Sequence, residues 1–321
     1  MFMVLFIIQL CFLEVTSKPL CWDNYSKSDN RCINTTTQST PTMPYATVTK
    51  PSTSLTSTIS SSNTIKKHNL VRTSSNFRSS LYDTLGTCLD KCSNQYVAIK
   101  LFDPKKQAFN NNSTRQSLYD ELMFHEKIGR HPHIIHLLGY ALEENVVLAF
   151  PLRLINLITY LRTDGKNASL NILGRYCAQI AQGMMFIHFK NIIHGDLKAA
   201  NILVKDEFTV QIADFGLACN ATETKAARGT ITHVAYEYIT DEETITKKGD
   251  IWSYGVTVWE IYERGMKKPY SDRLKHVNQF SLVEFFEKGK ILNKPSEMKV
   301  DLWGKVLQKI SISVQILANC I

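Results

Sequence analysis

Apolar residues along this chain change their spacing several times, and each change predicts a different kind of element. Tyr96-Val97-Ala98-Ile99-Lys100 and Val146-Val147-Leu148-Ala149-Phe150 are short runs rich in β-branched residues, the pattern of strands buried on a sheet. Between them, Leu118, Leu122 and Ile128 fall near helical spacing within 118–129, which predicts an amphipathic helix. Farther on, Leu173, Tyr176, Ile180, Met184 and Ile187 make a stripe along a longer helix ending near Phe189, a stripe expected to be core. Asn191-Ile192-Ile193, Ile202-Leu203-Val204 and Val210-Gln211-Ile212 then read as short strands.

The polar residues between those last strands are the candidate chemistry. His194-Gly195-Asp196-Leu197-Lys198-Ala199-Ala200-Asn201 puts an acid, an amine and an amide within six residues, and Asp214-Phe215-Gly216 adds a second acid downstream. Moving a phosphoryl group from ATP to a hydroxyl requires an acid to accept the hydroxyl proton, a cation near the migrating charge, and oxygen ligands for Mg²⁺.

These two motifs resemble the catalytic loop H-R-D-L-x-x-x-N and the metal-binding D-F-G of eukaryotic protein kinases, with Gly195 in place of Arg. The resemblance covers about 77–303 and is nearest the receptor tyrosine kinase branch. It implies an α+β, bilobal fold with a small β-rich lobe carrying one helix and a larger, mainly helical lobe. Asp196 is then the expected catalytic base and Lys198 the residue stabilising the γ-phosphate. Asn201 and Asp214 are the expected Mg²⁺ ligands, hard oxygen donors as that ion requires. Lys100 is expected to hold the ATP phosphates and to pair with Glu121 of the 118–129 helix. Gly86, Ala98, Leu148 (as gatekeeper) and Leu203 (under the adenine) complete the implied nucleotide site. A protein substrate is the implied partner, with self-association as in receptor kinases.

Departures from the family pattern matter as much. Leu85-Gly86-Thr87-Cys88 matches the end of the Gly-rich loop, but its two earlier glycine positions carry Leu81 and Asp83, so nucleotide binding is expected to be weakened. Gly195 removes the Arg that would receive an activation-loop phosphate, and no tyrosine precedes Tyr236 in that loop, so tyrosine phosphorylation there is not expected to gate activity. Gly229-Thr230-Ile231-Thr232-His233-Val234-Ala235-Tyr236-Glu237 resembles G-T-x-x-Y-x-A-P-E, and Thr230 with Lys198 is the serine/threonine pattern. Asp250-Ile251-Trp252-Ser253-Tyr254-Gly255-Val256 and Lys268-Pro269-Tyr270-Ser271 look like tyrosine kinases instead. Three readings therefore stand: a tyrosine kinase, which leads, a serine/threonine kinase, and a pseudokinase that binds partners. The Pro-Arg segment that ordinarily closes the large lobe has no match, so the domain is expected to be incomplete at its C-terminus and Glu237 to lack its ion-pair partner.

Composition bounds the rest. The 321 residues are 44% hydrophobic and 21% charged, enough for a two-lobed core and an extension. The net charge of +8 is scattered among acidic residues, so no nucleic-acid face is expected. Residues 1–13 carry no charge and precede Val15-Thr16-Ser17, which reads as a signal peptide over 1–17, against a misplaced start or truncated anchor. From 18 to 76 a disordered segment is expected, since Ser and Thr fill 18 of the 30 positions from 35 to 64. Asn24-Tyr25-Ser26 and Asn34-Thr35-Thr36 are glycosylation sequons there, so a glycosylated stalk and a bare linker are both open. The kinase domain is assigned to 77–321, with lobes dividing near 150. A signal suggests the secretory pathway or plasma membrane, whereas ATP chemistry suggests the cytoplasm, and no run of 18 apolar residues reconciles the two. Cys21 and Cys32 could pair outside the cell, whereas Cys88, Cys92, Cys177, Cys219 and Cys320 show no metal or disulfide spacing, and the run His131, His133, His136 is read as loop and core.

Overall fold

The computed structural model describes residues 70–77, 84–90, 95–102, 111–142, 146–223, 229–240 and 245–313. The expected signal peptide, the Ser/Thr-rich tract, Leu81 and Asp83 lie outside the described residues. The small lobe is an antiparallel sheet of β1 (Leu70–Phe77), β2 (Thr84–Asp90), β3 (Gln95–Phe102), β4 (Gly139–Leu142) and β5 (Val146–Pro151). Its spatial order is β1-β2-β3-β5-β4. β1 takes in residues 70–76, which were expected to lack order; Leu70, Val71 and Arg72 lie opposite Asp90, Leu89 and Cys88 of β2, so backbone pairing supplies the order that composition does not.

β3 explains how one strand serves both packing and chemistry. Successive side chains point to opposite faces. Val97 and Ile99 are buried with Ala141, Val147 and Ala149, which leaves Ala98 and Lys100 for the other face. In register, Lys100 lies opposite Leu148 of β5 and Leu85 of β2. Helix α1 (Asn111–Ile128) buries Leu118, Leu122 and Ile128 and exposes Met123, as its spacing predicts. Gly129, at φ +74°, ends it by donating its N–H to His125 O at 3.0 Å, a left-handed cap that glycine adopts without strain.

The large lobe begins with α2 (Leu157–Arg162), capped by Asn156, whose Oδ1 accepts from Thr159 N at 2.9 Å. Next comes α3 (Leu170–Phe189), with the predicted stripe buried throughout. Strands β6 (Ile192–Ile193), β7 (Ile202–Asp206), β8 (Thr209–Ile212) and β9 (Cys219–Asn220) form two small antiparallel pairs, β6 with β9 and β7 with β8. They hold the polar 194–201 segment and Asp214 between short strand ends. Helix α5 (Lys247–Tyr262) is buried along nearly its whole length, as a helix at the centre of a lobe must be. Around it lie α4 (Tyr236–Thr240), α6 (Gln279–Glu287) and α7 (Val300–Ser313).

The histidine run serves packing: His131 stacks on Phe186, with centroids 4.9 Å apart, and His133 Nδ1 lies 3.3 Å from Val210 O. The same segment is stitched to β8, where Ile135 N–H donates to Ile212 O at 2.8 Å and Ile212 N–H to His133 O at 2.9 Å. Glu237 is not without an interaction in the fold. No helix among the described residues is long and apolar enough to cross a membrane.

Candidate active site

Two clusters of polar side chains are assembled from residues far apart in sequence. The first joins the lobes. Lys100 Nζ is 2.6 Å from Glu121 Oε1 on α1 and 2.9 Å from Asp214 Oδ1. Glu121 is buried at 1% exposure, whereas a third of the Asp214 side chain is open. Burial pushes the Glu121 carboxyl above its ordinary value, and the Lys100 ammonium pulls it back only in part. Burial also acts upward on Asp214, but the Lys100 charge and hydrogen bond outweigh it, leaving that carboxyl below the usual range. Asp214 therefore stays an anion. Its φ of +67° is left-handed, a strained conformation for a non-glycine residue that turns the chain sharply at the strand end.

Phe215 is fully buried next to Asp214, between two imidazoles: His125 of α1 at 5.0 Å and 72°, and His194 at 5.0 Å and 52°. This packing fixes the spacing between α1 and the segment carrying Asp214. His125 Nε2 and Glu121 Oε2 are buried without hydrogen-bond partners among the described residues.

The second cluster surrounds Asp196, 6% exposed. Its Oδ2 accepts from Lys198 Nζ at 2.6 Å and Asn201 Nδ2 at 3.0 Å. Its Oδ1 accepts from Thr230 N at 3.0 Å and Thr230 Oγ1 at 2.8 Å. Lys198 Nζ also reaches Thr230 Oγ1 at 2.7 Å. Asn201 Nδ2 is held a second time by Asp196 O at 2.8 Å, which turns its Oδ1 away from this cluster.

Beneath it, α5 supplies the anchor. Asp250 Oδ2 accepts from His194 N at 2.9 Å and Oδ1 from Gly195 N at 3.0 Å, while His188 Nε2 lies 2.8 Å from Oδ2. Burial pushes the Asp250 carboxyl up, but these donors more than offset it and leave it below the ordinary value. Glu260 Oε2, about three turns further along the helix, accepts from Ala199 N at 2.9 Å and lies 3.2 Å from His233 Nε2.

Gly195 sits where these layers meet, at φ +78°. A Cβ there would stand 2.8 Å from Leu217 O, and one on Gly229 would stand 2.6 Å from Gly195 O. Both ends of the 217–229 segment therefore rest on the Gly195 backbone at distances only glycine permits.

A family scan decides what this arrangement belongs to: residues 76–311 match the family model for protein tyrosine and serine/threonine kinases. The chain is a member of that family. Among curated proteins it is similar to the human receptor tyrosine-protein kinase erbB-4, 34% identical over 180 residues covering 54% of this chain and 13% of that protein. The epidermal growth factor receptor of Apis mellifera is 31% identical over 214 residues, 64% of this chain and 16% of the relative. Fibroblast growth factor receptor 1 of Dugesia japonica is 32% identical over 229 residues, 64% and 25%. The chain spans a quarter or less of these relatives' length. Protein kinases of this family use ATP with Mg²⁺.

The site residues expected from sequence fall in two groups. Lys100, Glu121 and Asp214 meet in one cluster, and Asp196, Lys198 and Asn201 in the other. Leu148 is buried opposite Lys100, Ala98 and Leu203 are half-buried on β3 and β7, and Gly86 lies on β2 opposite Ile99. Sequence reasoning gave no role to Asp250, Glu260 or His125. A signal was present: acids on a stretch, 247–262, whose other residues are mostly apolar or small, and a histidine one turn from Glu121 on the core side of α1.

Proposed function

We propose that this kinase-family chain transfers the γ-phosphoryl group of ATP to a protein hydroxyl, with Asp196 as the base that takes the hydroxyl proton. Lys198 offsets charge on the transferring group, and Lys100, fixed by Glu121, holds the nucleotide phosphates. Asn201 and Asp214 suit Mg²⁺, because one presents an amide oxygen and the other a carboxylate kept ionised by Lys100. That ion, when bound, neutralises charge developing on the phosphate oxygens. The observation that carries the reading is the 2.9 Å contact between Lys100 and Asp214, 114 residues apart. It sets a cation against an acid suited to Mg²⁺, on a turn whose preceding residue, Ala213, donates its N–H to Asn201 O at 2.9 Å.

The likeness to erbB-4, the epidermal growth factor receptor and fibroblast growth factor receptor 1 supports tyrosine as the acceptor and a receptor-like signalling role, with self-association and a membrane location. A second reading has its own observation. The Lys198–Thr230–Asp196 triangle narrows the space beside the base, which favours the shorter serine or threonine side chain. We assign the catalytic domain to 77–321, extended at its N-terminal side by β1 from Leu70, and preceded by a secretion signal and a polar linker.

The test is phosphotransfer by the full chain with Mg²⁺-ATP and a mixed-sequence acceptor protein, followed by phosphoamino-acid analysis. Asp196→Asn should lower the rate about 10²- to 10⁴-fold, the usual share of a general base. Incorporation unaffected by that change would remove Asp196 from the assignment. No incorporation by the unaltered chain would favour a partner-binding pseudokinase.

A further inference from the structure

Away from both clusters, a third group of polar side chains gathers where the 130–136 loop, the end of β5 and the β7–β8 hairpin meet. Its hub is Gln211 on β8, a buried polar residue. Gln211 Nε2 donates to Pro132 O at 3.1 Å, and its Oε1 accepts from Arg153 Nε at 3.0 Å. Arg153, half-buried just beyond β5, also donates from Nη1 to Leu152 O at 3.0 Å. The guanidinium is thereby pinned along one side. Its Nη2 makes no hydrogen bond among the described residues, so the outer edge of the fork is open.

The charges around this edge are mostly positive. His136, half-buried on the loop, feels Arg130, Arg153 and Lys205 together; burial first, and then these three cations, hold its imidazole below the ordinary value. His133, with Nδ1 3.3 Å from Val210 O, is lowered by burial, and Lys205 pushes the same way against that carbonyl. Asp206 is the acid whose charge reaches Arg153, but its Oδ1 is turned to its own hairpin, where it accepts from Phe208 N at 3.0 Å. Arg130, Arg153 and Lys205 form no ion pair with another described residue. Three like charges held around a partly buried imidazole repel one another, and an anion among them relieves that repulsion.

We infer that this edge is a docking site for a phosphate monoester carried on a segment of another protein, with Arg153 as the fork and Arg130 and Lys205 as flanking cations. A guanidinium already oriented by Gln211 presents parallel N–H groups to a pair of phosphate oxygens and loses little freedom on binding. A phosphate dianion also brings twice the charge of a carboxylate to three cations. A bilayer surface fits less well. Anionic lipid is read by clusters of about four to eight basic residues, whereas here Asp206 and Glu207 close the hairpin next to Lys205. Neither the Lys100 nor the Asp196 cluster takes part, so the inference stands apart from the phosphotransfer reading.

The experiment measures binding of the full chain to an otherwise uncharged peptide carrying one phosphoserine, and to its unphosphorylated twin. Inorganic phosphate and phosphatidylcholine vesicles containing a phosphoinositide are the comparison ligands. The phosphopeptide should bind about 10- to 100-fold more tightly than the twin, the share of a charge-assisted pair. Arg153→Gln should remove most of that difference, and Arg153→Lys should recover little, because a point charge does not replace a pinned fork. Lys205→Glu, on an exposed residue of the hairpin where the fold tolerates it, should weaken binding and leave any phosphotransfer unchanged. In nuclear magnetic resonance titrations the His136 imidazole should protonate at higher pH with peptide bound, since the anion offsets the cations around it. Equal affinity for peptide and twin would overturn the inference. So would phosphopeptide binding indifferent to both Arg153→Gln and Lys205→Glu, or a His136 titration that peptide leaves unmoved. Inorganic phosphate bound as tightly as the peptide would overturn it in favour of a free-ion site, and vesicles bound in place of the peptide in favour of a membrane contact.

Discussion

The two polar clusters are built on opposite principles. Around Lys100 the order comes from charge: one ammonium holds two carboxylates, and each side chain arrives on a different element, β3, α1 and the turn after β8. Around Asp196 a single ion pair with Lys198 is joined by directed hydrogen bonds, and Asp250, Glu260 and Asp196 itself each hold backbone N–H groups. A charge cluster spread over three separate elements can be dismantled by shifting one of them. A backbone-anchored cluster holds its shape or unfolds. The acceptor side of this site is therefore preformed, while the nucleotide side depends on where α1 sits.

The sharpest way to break that contrast is Lys100→Met. It strands Glu121 at 1% exposure with no counter-charge. Removing one partner of a buried pair costs about 3–5 kcal/mol. The lower end is expected here, because the Glu121 carboxyl, already raised, takes up a proton instead. Urea unfolding of the full chain should show a loss of about 3 kcal/mol, with most of it recovered when Glu121→Leu is added. A single variant within about 1 kcal/mol of the parent would mean that charge does not hold the first cluster.

The second cluster gives way through geometry instead. Gly195→Ala puts a methyl group 2.8 Å from Leu217 O at a left-handed φ, and such strain costs about 1–3 kcal/mol. Phosphotransfer should fall along with the melting temperature, since both ends of the 217–229 segment ride on this residue. Gly195→Arg, which restores the residue usual in the family, should be no better. An arginine variant as stable as the parent would show that the close approach is incidental.

The same contrast explains what was legible in the sequence. The strand carrying Lys100, the helix carrying Glu121 and the short strands flanking Asp196 followed from apolar spacing, because each is a local pattern packed on one face. The roles of Asp250 and Glu260 did not follow. Their partners lie 55 to 61 residues away, and nothing local says which backbone N–H a buried acid will meet. β1 was missed for a related reason: its order comes from pairing with β2, and its own residues are mostly polar. Gly195 was recognised as a missing arginine, but its part as a close-contact residue needs Leu217 and Gly229 in view.

The smallest expected effect lies at the joint between the clusters. His125 is buried between Phe150 and Phe215, faces Lys100, Glu121, Asp214, His136 and His194, and leaves Nε2 without a hydrogen bond among the described residues. Burial, then the Lys100 charge, lowers its pKa from 6.5 to about 3. The folded chain keeps this imidazole neutral where the unfolded chain protonates it. Its contribution is therefore complete above pH 6.5 and is lost as pH falls towards 3. Across that window the group adds a slope of up to about 1.4 kcal/mol per pH unit. His125→Leu should flatten the unfolding free energy between those limits. It should also stabilise the chain by about 1 kcal/mol at neutral pH, because a polar atom buried without a partner is removed. Nucleotide affinity should change little, since leucine keeps the contact with Phe215 that sets the position of α1. An unchanged pH slope would mean that His125 is already protonated in the fold, with Glu121 as its counter-ion, and the first cluster would then hold two cations rather than one.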